Sequence, residues 1–388
     1  MLSMEYILTV SCTVLQNAFA MLGDAAADYF QSGNSDDRRA WERVRLDGKV
    51  CIVTGGNAGI GFATSQRLAG MGAHVILACR SKERGEAAAQ AIRTAAGTRD
   101  PSARNDGKTT LNVEAMELDL SSSSSVRAFV QTFNQRNIPM HLLICNAGIM
   151  SPPARLASEG LELQFKVNYL SHWELAVGLL DHQRRLRESA CGKPKATPSG
   201  QSSFFCLEEQ GTRVVTLSSC THTAGALQWS DKQSESFYSP FVSYAFTKLA
   251  AILMAKELTR RFDSNPILTG KYTAVAVHPG VVDTFLAHNF LDSQGKAWLG
   301  ATGALILNMY SAFKKAAFDP LMRSPSNAAS TLLFAALAPA ELVAGQYVKP
   351  PRTVVANPFK SVADTGRSKE LWEYSERLTG ICAGDTLL

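Results

Sequence analysis

The sequence has no C-x-x-C pair, no run of basic residues and no internal repeat, and near its N-terminus the apolar residues are interrupted by polar ones. Each absence removes a class of protein. Eight cysteines, at 12, 51, 79, 145, 191, 206, 220 and 382, lack the clustered spacing of a zinc site or a disulfide framework. Cys51, Cys79 and Cys145 sit inside short apolar runs, which marks them as buried, reduced thiols in a reducing compartment. The net charge is only +5, with scattered lysines and arginines, so no nucleic-acid partner is expected, and with the cysteines unclustered no metal site is expected either. Residues 1–5 lack the basic start of a secretory signal.

The segment 6–22 is apolar but carries Thr9, Ser11, Thr13, Gln16 and Asn17. On a helix, Glu5, Thr9, Thr13, Gln16, Asn17 and Asp24 form one polar stripe, an amphipathic pattern. A helix docked on a protein or membrane surface fits this better than a single-pass anchor, and a cleaved signal fits least. If the segment spans, Arg38, Arg39, Arg43 and Arg45 place the rest of the chain on the cytosolic side. Residues 1–46 are thus expected to form an N-terminal helical extension. Its expected location is the cytoplasmic face of an ER-like membrane, or the cytoplasm.

From residue 47 the pattern changes. KVCIVTGG, AHVILACR, NVEAMELDL, MHLLICNAG, RVVTLSS and YTAVAVHPG are short, β-rich apolar runs. Helix-like segments at 59–69, 121–135, 161–180 and 244–261 alternate with them. Continuous apolar strands between helices predict an α/β fold, a doubly wound parallel sheet covered on both faces, as one domain over 47–388. The polar stretches 96–110 and 192–203 read as surface loops.

The turn after the first run, TGGNAGIG, holds Gly55, Gly59 and Gly61. Glycines there let backbone amides approach a diphosphate, which the N-terminus of the next helix also attracts. Gly55, Asn57, Gly59, Ile60 and Gly61 are therefore candidate cofactor-binding positions. At the end of the second run, an acid would accept from the ribose 2′-hydroxyl of NAD; the chain has Arg80, a guanidinium suited to a 2′-phosphate. NADP(H) is expected, with NAD as the alternative. Asp119, beside Leu120 at the end of the third run, suits adenine or the cap of the next helix.

T-G-x-x-x-G-x-G at 54–61, N-A-G at 146–148, the serine of LSS and Y-x-x-x-K at 244–248, in this order and each after its strand, resemble the short-chain dehydrogenase/reductase superfamily. VILACRSKERGE, PMHLLICNAGIM, VHPGVVDT and ELWEYSERLTG are similar to its retinol dehydrogenase-like branch. A WW module needs two spaced tryptophans before the catalytic domain, and only Trp41 stands there.

The resemblance implies a Rossmann-type fold and hydride transfer between nicotinamide and an alcohol or carbonyl. It makes Tyr244 the general acid/base and Lys248 the group that lowers the tyrosine pKa and holds the nicotinamide ribose. Spacing agrees, because residues four apart share a helix face, and a neighbouring cation favours the phenolate. Ser219 would polarise the substrate oxygen, leaving Ser218 a structural role, and Asn168 would hold a water for proton relay. Asn146, Ala147 and Gly148 would border the adenosine ribose. Pro279, Gly280 and Thr284 would contact the nicotinamide amide, with His278 structural. Residues 285–320, rich in Trp298, Leu305, Ile306, Leu307, Met309 and Tyr310, would line the site of a lipophilic substrate and touch a membrane. A homodimer through helices flanking the sheet is a further expectation. Two rivals stay open: a nucleotide-binding scaffold or redox sensor with little catalysis, and an enzyme of soluble polar substrates.

Overall fold

The computed structural model describes residues 44–97, 111–150, 152, 155, 159–190, 211–282, 322–350, 352–358 and 365–382. The expected N-terminal helix, Thr284 and the segment 285–320 lie outside these residues.

Among the described residues, eight strands form one sheet in the order β3-β2-β1-β4-β5-β6-β7-β8. They are β1 Val50–Thr54, β2 His74–Cys79, β3 Val113–Glu117, β4 Leu142–Cys145, β5 Thr212–Leu217, β6 Tyr272–Val277, β7 Tyr347–Lys349 and β8 Thr353–Val355. All neighbours pair in parallel except β7 and β8, which are antiparallel. The first six match the apolar runs of the sequence. The last two, three residues each at the sheet edge, leave no periodic signal.

Alternation along each strand sends neighbours to opposite faces. Ile52, Ile76, Leu143, Val214 and Ala274 join one core. Cys51, Val53, Val75, Leu77, Leu142, Ile144, Val215 and Val275 join the other, together with Val44 and Leu46. Covering helices are α1 Gly59–Gly70, α2 Lys82–Gly97, α3 Ser123–Asn134, α4 Ser171–Ala190, α5 Pro240–Ser264, α6 Pro325–Leu337, α7 Ala340–Val343 and α8 Thr365–Thr379. The helix predicted over 161–180 is interrupted. A helical turn Leu163–Phe165 passes through a π-helical turn, Lys166–Leu170, before α4 begins.

Local chemistry sets the helix starts. Ser122, Ser239 and Ser324 each accept a backbone N–H at the N-termini of α3, α5 and α6. Pro240 and Pro325 occupy first-turn positions, where no N–H is needed. The C-terminal helix α8 lies across α4 and α5. Trp372 meets Trp173 edge-on at 5.2 Å, and the Arg261 guanidinium stacks on the Trp372 ring at 4.4 Å.

The described cysteines, Cys51, Cys79, Cys145, Cys220 and Cys382, are free thiols. Burial pushes the Cys51 thiol up to about 12. Among the described residues no group of His, Cys, Asp or Glu could hold a metal ion, and no helix is long and apolar enough to cross a membrane.

Candidate active site

The chain runs outward from β1 to β3 on one side and from β4 to β8 on the other, so the switch of direction lies between β1 and β4. In such sheets ligands bind at that point, outside the carboxyl ends of the strands. Gly55 and Gly59 adopt positive φ, +64° and +54°. Gly61 is constrained from outside, since a Cβ there would lie 2.3 Å from the Gly55 carbonyl and 2.6 Å from the Asn146 amide. The N-cap of α1 is Ala58, which offers no side-chain acceptor, so the first N–H groups of this helix are open to an anion. Asn57 and Ile60 are half-buried beside them.

Opposite, Asn146, Ala147 and Gly148 follow β4. The Asn146 and Ala147 N–H groups both donate to Thr54 Oγ1, at 2.9 Å each, and Asn146 Nδ2 donates to the Thr54 carbonyl at 2.8 Å. This ties the loop after β4 to the end of β1. At the end of β2, Arg80 is exposed and has no partner among the described residues. Asp119 Oδ1 accepts from the Ser121 N–H and hydroxyl, at 2.9 and 2.7 Å, so it closes a turn while Ser122 caps α3. Leu120 is buried beside it, its carbonyl bound by the Ser171 hydroxyl at 2.7 Å.

Tyr244 and Lys248 stand one turn apart on α5, both buried, with Nζ 5.3 Å from the centre of the phenol ring. Lys248 Nζ donates to the Leu217 carbonyl at 3.1 Å, and Ser218 donates to the Lys248 carbonyl at 2.7 Å. Ser219, whose Oγ accepts from the Thr221 N–H at 3.3 Å, stands beside the Tyr244 phenol. The 3₁₀ segment Cys220–Asp231 that follows it packs so closely on α5 that a Cβ at Gly225 would lie 2.6 Å from the Ala245 carbonyl.

One electrostatic expectation is corrected. Sequence spacing predicts a Tyr244 pKa lowered by Lys248. In the folded chain burial dominates and raises it, the Cys220 thiol adding to the rise and the nearby Ser219 hydroxyl opposing it. Burial also lowers Lys248, to about 8.

Asn168 sits in the π-helical turn. Its Oδ1 accepts from Ile149 N at 2.8 Å, and its Nδ2 donates to Ile149 O at 2.9 Å and Thr247 Oγ1 at 3.1 Å. The side-chain amide is thus committed to bracing the loop after β4 against α5. Pro279 and Gly280, the latter at φ +89°, follow β6, and Arg323 holds this loop through the Pro279 carbonyl at 3.3 Å and the Val281 carbonyl at 2.8 Å. His278 is buried, and its low pKa, about 3, follows from burial first and then from nearby His222, Arg323, Lys349 and Lys248.

The fold therefore gathers Gly55, Asn57, Gly59, Ile60, Gly61, Asn146, Ala147, Gly148, Asn168, Ser219, Tyr244, Lys248, Pro279 and Gly280 around the carboxyl ends of β1, β4, β5 and β6, with Arg80, Asp119 and Leu120 at the ends of β2 and β3. Sequence reading assigned no role to Thr54, His172, Thr247 or Arg323. Thr54 opens the glycine motif, and His172 and Thr247 lie one turn from Asn168 and Tyr244. Their roles depend on contacts between distant segments.

A doubly wound sheet with a glycine turn, an N-A-G loop and a Ser–Tyr–Lys cluster at its switch point defines a short-chain dehydrogenase, and the chain belongs to that family. A family model described as short chain dehydrogenase matches residues 49–190. Polyprenol dehydrogenase of Mus musculus is 32% identical over 87% of this chain and 86% of its own length. Polyprenol dehydrogenase of Danio rerio is 34% identical over 86% and 88%. Retinol dehydrogenase 12 of Mus musculus is 32% identical over 87% and 88%. Among solved structures, an uncharacterised protein from Mycobacterium paratuberculosis superposes with a TM-score of 0.60 at 28% identity, covering 88% of this chain and 97% of that one. Actinorhodin polyketide ketoreductase with NADPH shares the fold at a TM-score of 0.53 and 20% identity, over 78% of this chain and 95% of that one. The protein is an NAD(P)-dependent oxidoreductase with a nicotinamide dinucleotide cofactor.

Proposed function

We propose that this enzyme uses NADP(H) to interconvert a lipophilic alcohol and its aldehyde or ketone, with Tyr244 as the general acid/base. The observation that carries this reading is the juxtaposition of Ser219, Tyr244 and Lys248 at the mouth of the sheet beside the open N-terminus of α1. The lipophilic class draws support from the retinol and polyprenol dehydrogenase relatives.

The open amides of α1 and the glycine turn suit the diphosphate, the Asn146–Gly148 loop the adenosine ribose, and the Pro279–Gly280 loop the nicotinamide. When bound, the cofactor supplies or accepts the hydride. The residues of the chain handle the oxygen. The Tyr244 phenol, raised further by burial, is protonated at neutral pH, so it can donate its proton to the carbonyl oxygen as negative charge develops there, giving the alcohol. The Ser219 hydroxyl orients that oxygen. Lys248, buried yet mostly charged at pH 7 with a value of about 8, stabilises the phenolate left after donation. In the reverse direction the phenolate accepts the alcohol proton.

The test is reduction of a panel of lipophilic and polar aldehydes by NADPH. Tyr244→Phe should cut kcat by at least about 100-fold, the usual contribution of a general acid, while leaving NADPH-induced thermal stabilisation in place. Equal rates would remove Tyr244 from the chemistry, and no turnover in the wild type would favour the scaffold reading. A preference for polar substrates would favour the second rival. Association with the cytoplasmic face of an ER-like membrane belongs to the same proposal; recovery of the full chain in the soluble fraction would count against it.

A further inference from the structure

We propose that His172 is a positioning residue: its imidazole, in the Nδ1–H tautomer, fastens the cofactor floor at Thr54 to the π-helical turn of Asn168 and so sets the cofactor crevice in register with the helix that carries Tyr244.

His172 opens the first turn of α4 and is 2% exposed. Its Nδ1 lies 3.1 Å from the Asn168 carbonyl, and its Nε2 lies 2.9 Å from Thr54 Oγ1. A carbonyl oxygen only accepts, so Nδ1 must carry the proton. The Thr54 hydroxyl settles the other end. Both of its lone pairs are taken by the Asn146 and Ala147 N–H groups, so it has none for an Nε2–H. Its own proton has an acceptor in Nε2 at 2.9 Å, against 3.3 Å for the Ile144 carbonyl. The ring is therefore neutral, with one donor and one acceptor. Burial and the nearby charge of Lys248 keep it so at neutral pH.

The donors then run in one direction. Thr54 donates to His172, His172 to the Asn168 carbonyl, Asn168 Nδ2 to Thr247, and Thr247 to the Tyr244 carbonyl at 2.7 Å. One end of this series fixes the amides of the Asn146–Ala147 loop. The other ends on the backbone of the proposed acid. Glycine-turn position and phenol position are thereby coupled through one buried side chain.

The inference rests on the proposed role of Tyr244 only for its effect on turnover, so its test has readouts independent of turnover. Imidazole ¹⁵N spectra of the wild-type protein at pH 7 should show a protonated Nδ1 and an unprotonated Nε2 for His172. An Nε2–H signal overturns the proposal without any variant. Three substitutions separate the two ends. His172→Gln can place an acceptor where Nε2 stood, and His172→Asn a donor where Nδ1 stood. His172→Phe removes both. His172→Asn and His172→Phe should speed hydrogen exchange at the Asn146 and Ala147 amides and weaken NADPH binding, each by about tenfold, as expected for one lost buried hydrogen bond. His172→Gln should keep both near wild type. If the proposed chemistry holds, His172→Gln also lowers kcat by about tenfold with the cofactor KM unchanged. A side chain that merely fills space would lower the melting temperature in all three while exchange at Asn146–Ala147 and NADPH affinity of the folded protein stayed the same; that pattern overturns the assignment. Absence of turnover in wild type would refute the proposed function and leave the exchange, binding and tautomer results to decide this one.

Discussion

Single residues at the mouth of the sheet carry opposite demands, and two of them give sharp tests. Gly61 is needed for space. A methyl group there would meet the backbone of Gly55 and the Asn146 amide, neither of which can yield without opening the link to Thr54. Gly61→Ala should therefore lose NADPH-induced stabilisation in a thermal-shift titration, since that stabilisation scales with ligand concentration over Kd. An undiminished shift would show that the turn can relax. Arg80 is needed for charge. It is exposed and unpartnered among the described residues, so nothing in the fold requires it. Arg80→Ala should leave the melting temperature of the protein alone within about 1 °C, because exposed substitutions away from special features cost little. It should nevertheless weaken NADPH binding while sparing NADH. An unchanged ratio of the two affinities would remove Arg80 as the reader of the 2′-phosphate.

At the scale of elements, the strands and the glycine turn were legible because the signal is local. KVCIVT is apolar throughout, as a strand buried on both faces must be, and TGGNAGIG follows it directly. Tyr244 and Lys248 were legible for the same reason, being one helical turn apart. What the sequence hid is pairwise and distant. The π-helical turn at 166–170 looks like ordinary helix, yet it places Asn168 where its amide reaches Ile149 and Thr247. The raised pKa of Tyr244 follows from how deeply α5 is covered, and spacing says nothing about depth. The docking of α8 was equally hidden. Tyr169 in the π-helical turn and Ser375 in α8 share a hydrogen bond of 2.9 Å, and Phe165 meets Tyr374 at 6.0 Å. The last helix thus buttresses the turn that carries Asn168, and it covers part of the α4–α5 face through Trp372. Trp372 is 1% exposed, so Trp372→Ala should cost about 3–5 kcal/mol, the range for emptying a large aromatic site. Urea unfolding followed by circular dichroism measures it; a loss below about 1 kcal/mol would mean that α8 is loosely held.

For the molecule as a whole, buried titratable groups set the pH range in which the fold holds. His172 and His278 have pKa values of about 4 and about 3, against 6.5 for a free imidazole, with burial the largest cause for each. The unfolded chain binds protons at these groups near pH 6.5, while the folded chain refuses them until far lower. Their contribution to stability is therefore complete above pH 6.5 and is lost as pH falls toward 4 and then 3. Glu114, bonded to His74 at 2.8 Å and Arg136 at 2.6 Å, is lowered to about 2 and adds to the acid side below its ordinary value of 4.5. Lys248, at about 8 against 10.5, acts in the same sense at higher pH, its contribution being complete only above 10.5. The raised phenols of Tyr169 and Tyr244 act the other way. Their share is complete below pH 10 and is lost as pH rises beyond it. The melting temperature should accordingly be highest on the neutral to mildly alkaline side and fall between pH 6.5 and 5. Few ordinary carboxylates titrate in that window, which isolates the imidazoles. His278→Phe should make the fall shallower there, whatever it does to the absolute melting temperature, because one of the two buried imidazoles is gone and only the share of His172 remains. A melting temperature constant from pH 7.5 to 5 in the wild type would mean that these imidazoles are not held neutral by the fold.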